Sequence, residues 1–337
     1  MPEELGAMST RIELTLACGD YEIMRALKEG TVKPDGIDLK VVTAMDSPTR
    51  HWRFLRGHEF EVAEVSSSSY IAARDNGHAF RAIPVFPHRR FRHGFAFVNT
   101  SKGIKTPKDL IGKKVGVKFF LNSAALWLRG ILQHEYGVPF KSMDWYTELD
   151  EDIPEAAFPS DLRLNRVPTS KSIVGMLVDG ELDAVLHPDI IKPLREKDPR
   201  VGRLFPNYKA DEAGYFKKTG IYPIMHVIGI KQEIVDRYPW VPVNLYQALN
   251  ESKAAAMERM ENPRIAPIVW YREAWEEQEE IFQSDPWEYG LTGRNRHNLE
   301  TLVGYSFEQG LIKRKLPLDE LFLDVSQGRR RGEEFTF

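Results

Sequence analysis

The stretch EVAEVSSSSYIAARD, Glu61 to Asp75, decides how this chain folds. Glu61 to Val65 is a mostly apolar run of strand length. It delivers the chain into four serines, Ser66 to Ser69, which open the helical stretch Tyr70 to Asp75. Serines at a helix start cap free backbone N–H groups, and the same groups can hold an anion. A strand feeding a capped helix is the repeating unit of α/β proteins.

The unit recurs on both sides. Before it, Ile12 to Cys18 reads as a strand broken by Gly19-Asp20, Tyr21 to Glu29 as a helix, Ile37 to Val42 as a strand and Pro48 to Arg56 as a helix. After it come the strand Phe95 to Val98, a capped turn at Thr106 to Leu110, the strand Lys114 to Val117 and the helix Ala124 to His134. Lys171 to Val178 (helix), Asp183 to Leu186 (strand) and Ile190 to Lys197 (helix) repeat the order, and Met225 to Ile230 is a further strand. From Gln232 the chain reads as nearly all helical, with Arg272 to Glu280 a solvated face. Asp150 to Val167, with Pro154 and Pro159, reads as a long surface loop. The expected class is α/β, with a mainly parallel sheet in each of two lobes.

The bulk numbers agree with two lobes, since 337 residues exceed one compact core. A net charge of −3, from 46 basic and 49 acidic residues, gives no field to gather nucleic acid or a membrane surface. No run approaches the ~18 apolar residues of a membrane span. Met1 to Met8 lacks a basic segment followed by an apolar one, so a cytoplasmic protein is expected. The single cysteine, Cys18, excludes an intrachain disulfide and reads as a buried bystander. No HExxH, EF-hand loop, GxSxG, GxGxxG or P-loop occurs, so neither a metal nor another cofactor is expected.

Two phrases resemble a known scaffold. Asn99 to Val117 (NTSKGIKTPKDLIGKKVGV) and Gly175 to Leu186 (GMLVDGELDAVL) are similar to segments of periplasmic solute-binding proteins. Three others carry a closer likeness: Phe86 to His93 (FPHRRFRH), Pro223 to Ile230 (PIMHVIGI) and Asp285 to Phe322 (DPWEYGLTGRNRHNLETLVGYSFEQGLIKRKLPLDELF). Together they resemble the 4,5-dihydroxyphthalate decarboxylase family over roughly residues 10 to 323. The resemblance implies a cytoplasmic enzyme on a two-lobed, periplasmic-binding-protein-like fold with its ligand cleft between the lobes. The lobes are expected at 10–98 with 224–337, and at 99–223. The implied partner is a small aromatic carboxylate, with no nucleic acid and no membrane; a homo-oligomer stays open.

In such a fold the ligand lies against loops at the carboxyl ends of strands. That nominates Gly19 to Tyr21, Ser66 to Tyr70, Pro87 to His93, Phe119 to Ser123, His187 to Asp189 and the crossover near His226. The densest set is His88-Arg89-Arg90-Phe91-Arg92-His93. In an extended segment Arg90 and Arg92 face one way and Arg89 and His93 the other. The resemblance favours Arg89, Arg92 and His93, which a bend at Pro87 or Gly94 could reconcile. The segment reads either as a carboxylate clamp or as a solvated strand end.

Ser67 and Ser68, and Asn122 and Ser123 in the other lobe, are helix caps or ligand contacts. Trp127 reads as core. His187 is placed for a cleft contact or catalysis, and His226 is a core or functional histidine. His51, His58, His78, His134 and His297 read as surface residues. Glu64, a carboxylate in a buried strand, needs a partner, expected from the Arg89 to Arg92 segment.

For loss of CO₂ from a hydroxylated phthalate, protonating the ring carbon first avoids an aryl carbanion. A hydroxyl para to the leaving carboxylate supplies the electrons. The expected roles are His93 or His187 as acid, Arg89 and Arg92 as anchors, and Glu64 or Asp20 to orient the acid or take the phenol proton. The alternative is a non-catalytic solute-binding protein for a small aromatic or anionic ligand.

Overall fold

The computed structural model describes residues 11–326. Residue 10 and residues 327–337 of the expected first lobe lie outside the described residues, as does Met1 to Met8. Strands β1 (Ile12–Ala17) and β2 (Ile37–Val42) pair in parallel from Ile12↔Ile37 to Ala17↔Val42. β1 also runs parallel to β3 (Val62–Ser66). β4 (Phe80–Ile83) closes this first sheet through the late strand β11 (His226–Lys231), in the order β2-β1-β3-β11-β4.

The second sheet is built from β5 (Ala96–Asn99), β6 (Lys114–Val117), β7 (Asp144–Thr147), β8 (Leu164–Arg166), β9 (Ala184–Leu186) and β10 (Val201–Arg203). Its order is β10-β5-β9-β6-β7-β8. β6 is parallel to β7 and β9, and β7 to β8. The strands that carry the chain between sheets, β5 and β11, run antiparallel to their neighbours. The α/β class with two helix-flanked, mainly parallel sheets is therefore as expected.

The serines of the opening stretch join the helix rather than preceding it: the helix is Ser67–Asp75, and β3 ends at Ser66. The helix Ser123–Tyr136 takes the same place after β6. The helix Gly293–Glu308 packs on both of these helices, so one apolar core runs continuously between the two sheets. A smaller cluster around Phe97, Ile173 and Val185 lies on the second sheet. Trp127 is fully buried in the larger core, its indole N–H donating to Ile224 O at 2.9 Å.

The segment Asp150 to Val167 is not simply a surface loop. Residues 164–166 add β8 to the sheet edge, and Asp152, Ile153 and Ala156 are buried. Arg56 reaches across from the first-sheet side to the carbonyls of Glu151 and Asp152 at 2.8 and 3.3 Å. Proline and charge suggested solvent, but the carbonyls found a guanidinium partner. The helix Tyr208–Thr219 gave little sequence signal because it buries only Tyr215. The helix Tyr271–Phe282 buries no residue, in line with a solvated face. No helix is long and apolar enough to cross a membrane among the described residues.

Candidate functional site

Three helices direct their N-termini toward one cavity of about 470 Å³ between the sheets. Asp46 caps the helix Ser47–Leu55 by accepting from Thr49 N at 2.8 Å. Asn122 caps Ser123–Tyr136 by accepting from Ala125 N at 2.8 Å and donating to Phe119 O at 2.7 Å. Ser66, at the start of the third helix, also lines the wall. The converging helix dipoles make this region favourable to an anion.

On the first-sheet side the register His226↔Ser66 and Ile228↔Glu64 sets His226 diagonally across from Glu64 on one face. The Glu64 carboxylate is fully buried and accepts four times. Arg50 Nη2 lies at 3.0 Å, Gly19 N donates at 2.6 Å, the Tyr21 hydroxyl donates at 2.8 Å, and His226 contacts it through Nδ1. His226 Nε2 has no protein partner among the described residues, so this nitrogen is left for the cavity. The His226 ring meets those of His51 and His88 edge-on, at centroid distances of 4.8 and 4.7 Å. All three imidazoles line the cavity. Burial holds each well below the usual imidazole range; neighbouring cations, Arg50 for His51 and His226, Arg92 for His88 and His226, push the same way.

Arg92 also lines the cavity and is 1% exposed. It donates from Nη1 to Pro188 O at 2.9 Å, sets Nε 3.1 Å from the Met225 sulfur, and lies over the Phe95 ring at 4.8 Å. It has no carboxylate partner among the described residues, and burial lowers its pKa to about 9. Such a cation is stabilised by an incoming anion.

On the second-sheet side the wall is made by Lys118, Phe119, Asn122, Ser123 and His187. His187 Nδ1 is engaged with Asp189, 2.8 Å from O and 3.0 Å from N. Its pKa is lowered, chiefly by burial. Ser123 Oγ bridges the two sides, 2.9 Å from Ser66 Oγ and 3.0 Å from Ser67 Oγ, and accepts from Ser68 N at 3.0 Å.

Of the residues nominated by sequence, Arg92, His187, Asn122, Ser123 and His226 meet at the cavity, and Glu64 stands behind His226. Ser67 and Ser68 do not line it; their hydroxyls are spent on Met225 O and Leu121 O. Asp20 is exposed and paired with Lys28 at 2.7 Å. Arg89 faces the other way, toward Asn295 and Glu288 O. His93 is packed among Phe205, Tyr136 and Tyr215 with both ring nitrogens unpartnered, and burial lowers its pKa to about 4.

The segment around the single Arg89↔Ile224 bridge thus divides the basic residues: His88 and Arg92 reach the cavity, while Arg89 and His93 do not. The partner of Glu64 is Arg50, not the Arg89 to Arg92 segment. His51 is not a surface residue but 3% exposed, because the helix Ser47–Leu55 turns it inward over β3 and β11. Cys18 is buried and free, its thiol raised to about 12 mainly by burial. No group of three or more His, Cys, Asp and Glu side chains is placed to hold a metal ion among the described residues.

No family model matches the chain. It is 30% identical over 325 residues to a 4,5-dihydroxyphthalate decarboxylase of Comamonas testosteroni, covering 94% of this chain and 98% of that one. It is 28% identical over 213 residues to another of that name from Pseudomonas putida, covering 61% and 82%. Among solved structures it resembles the periplasmic aliphatic sulphonate binding protein of Escherichia coli, with a TM-score of 0.56, 13% identity and 96% of each chain covered. An alkanesulfonate-binding protein of Xanthomonas axonopodis pv. citri gives a TM-score of 0.54 at 11% identity, covering 90% of this chain and 95% of that one. The architecture is therefore the two-lobed periplasmic-binding-protein fold, with the cavity in the cleft between its lobes. By its identity and near-complete overlap with the Comamonas protein, the chain belongs to the 4,5-dihydroxyphthalate decarboxylase family.

Proposed function

We propose that this protein removes one carboxylate, as CO₂, from 4,5-dihydroxyphthalate, leaving 3,4-dihydroxybenzoate. The observation that carries the reading is the pairing, in one cavity, of Arg92 without a carboxylate partner and His226 backed by Glu64. Arg92 anchors a substrate carboxylate through its free Nη2, and the converging helix N-termini add to the attraction.

A dianionic substrate changes the titration of the imidazoles. Burial and nearby arginines favour their neutral form; two carboxylates beside them favour the imidazolium. His226 then carries a proton on Nε2 while Glu64 balances the charge through Nδ1. It delivers that proton to the ring carbon bearing the leaving carboxylate. Electrons from the para hydroxyl form the new C–H bond, giving a cyclohexadienone-like intermediate as the phenol loses its proton. The C–C bond to the carboxylate then breaks, CO₂ leaves, its electron pair restores the aromatic ring, and the phenol oxygen regains a proton. Arg50, Tyr21 and Gly19 N hold Glu64 in place as positioning groups. In this reading His93 and Arg89 take no part in the chemistry, and the compartment is the cytoplasm, as the family resemblance implies.

The test is Arg92→Met beside the wild type. The variant should lose at least about 100-fold in kcat/KM on 4,5-dihydroxyphthalate, since a charge-assisted contact is worth several kcal/mol in a closed site, while keeping the wild-type thermal midpoint. Wild-type turnover in the variant would remove Arg92 from the account. Tight binding without turnover in the wild type would favour a solute-binding role.

A further inference from the structure

Three neighbouring strands of the second sheet end in polar side chains at the cleft. The register Val117↔Leu186 and Val117↔Thr147 places the next residues, His187, Lys118 and Glu148, side by side at the carboxyl edge of β9, β6 and β7. Lys118 Nζ donates to Glu148 Oε1 at 2.7 Å, and Glu148 Oε2 accepts from Ile173 N at 3.0 Å. The ammonium retains two donors with no protein partner among the described residues. His187 retains Nε2. Of the other polar groups of this wall, Asn122 is committed to its cap, Ser123 to the serines opposite, and Asp189 is paired with Arg90 at 3.6 Å.

The two walls therefore differ in charge. Arg92 presents a cation without a carboxylate, whereas Lys118 arrives already neutralised by Glu148. An anion is drawn to the first. A neutral ligand group that both donates and accepts matches the second, where the Lys118 ammonium keeps free donors and His187 keeps Nε2. We propose that Lys118, paired with Glu148 and flanked by His187, recognises the two adjacent hydroxyls of the substrate and so sets specificity for a catechol edge.

This inference rests on the decarboxylase reading and adds the orientation of the ring in the cleft. The carboxylates lie toward Arg92 and the hydroxyls toward Lys118. A ring bound this way places its hydroxyl para to the leaving carboxylate beside Lys118 and His187, on the wall opposite His226.

The experiment is calorimetric titration of wild type, Lys118→Met and His187→Ala with benzoate, 3,4-dihydroxybenzoate and phthalate. The wild type should bind 3,4-dihydroxybenzoate at least about tenfold more tightly than benzoate, roughly one net hydrogen bond. Lys118→Met should bring that ratio near one and leave the phthalate Kd within about twofold; His187→Ala should lower the ratio in the same direction. A ratio that survives in both variants would overturn the proposal. So would a phthalate affinity that falls as far as that for 3,4-dihydroxybenzoate, because Lys118 would then be a carboxylate anchor. If the wild type binds none of the three acids, the substrate reading itself fails and takes this inference with it.

Discussion

Arg89 and Arg92 stand three positions apart and face opposite ways, and that decides which can meet a ligand. Arg92, with no carboxylate beside it, looks into the cleft; Arg89 is tied to Asn295 and Glu288 O. The histidines in the cleft give a pH dependence of definite sign. His51, His88 and His226 are held below their usual range in the free protein. An incoming dicarboxylate raises them, so binding takes up protons and the Kd for phthalate rises as pH rises from 6 to 8. Calorimetry in two buffers of different ionisation enthalpy measures this uptake directly; identical heats in both buffers would contradict it.

His93 gives the complementary stability effect. Its folded pKa of about 4 lies below the unfolded value, so the unfolded chain binds the proton first as pH falls. Its contribution is fully present above the unfolded pKa and is lost as pH falls toward 4, at about 1.4 kcal/mol per pH unit. His93→Phe should therefore lose less thermal stability between pH 7 and 5 than the wild type; equal losses would show that His93 is not held neutral.

Elements explain what the sequence could and could not reveal. The strand-to-helix order was legible because each β-loop-α unit is a local pattern, and the rule of strand ends nominated His187, Asn122, Ser123 and His226 from position alone. His51 was not legible, since a polar helix shows its inward face only when its packing is known. Lys118 and Glu148 were not legible either: they are 30 residues apart, and only the β6–β7 register sets them together. Arg50 was missed as the partner of Glu64 because it reaches β3 from the packed helix Ser47–Leu55, as His51 does. A tight helix contact is also non-local. A Cβ on Gly130 would meet Tyr305 Cδ2 at 2.1 Å. Gly130→Ala should cost about 1–3 kcal/mol by overpacking, read as a lowered thermal midpoint; an unchanged midpoint would mean that the helix Gly293–Glu308 yields easily.

Across the whole molecule, the walls of the cleft come from two sheets that share one apolar core through the helix Gly293–Glu308. Ser123 bonds to the serines opposite, and Arg56 bonds to the carbonyls of residues 151 and 152, so both sides of the cavity are joined at its edges. This arrangement suits the proposed chemistry, in which water is kept from a ring-protonated intermediate while a dianion is held. The fold is shared with solute-binding proteins; what separates the proposed chemistry from capture alone is the Glu64-backed His226 set beside Arg92. The most direct measurement of that claim is incubation of the purified protein with 4,5-dihydroxyphthalate, with CO₂ and 3,4-dihydroxybenzoate quantified together. The account predicts equal amounts of both, formed catalytically over many turnovers; bound substrate recovered unchanged, with no CO₂ released, would contradict it.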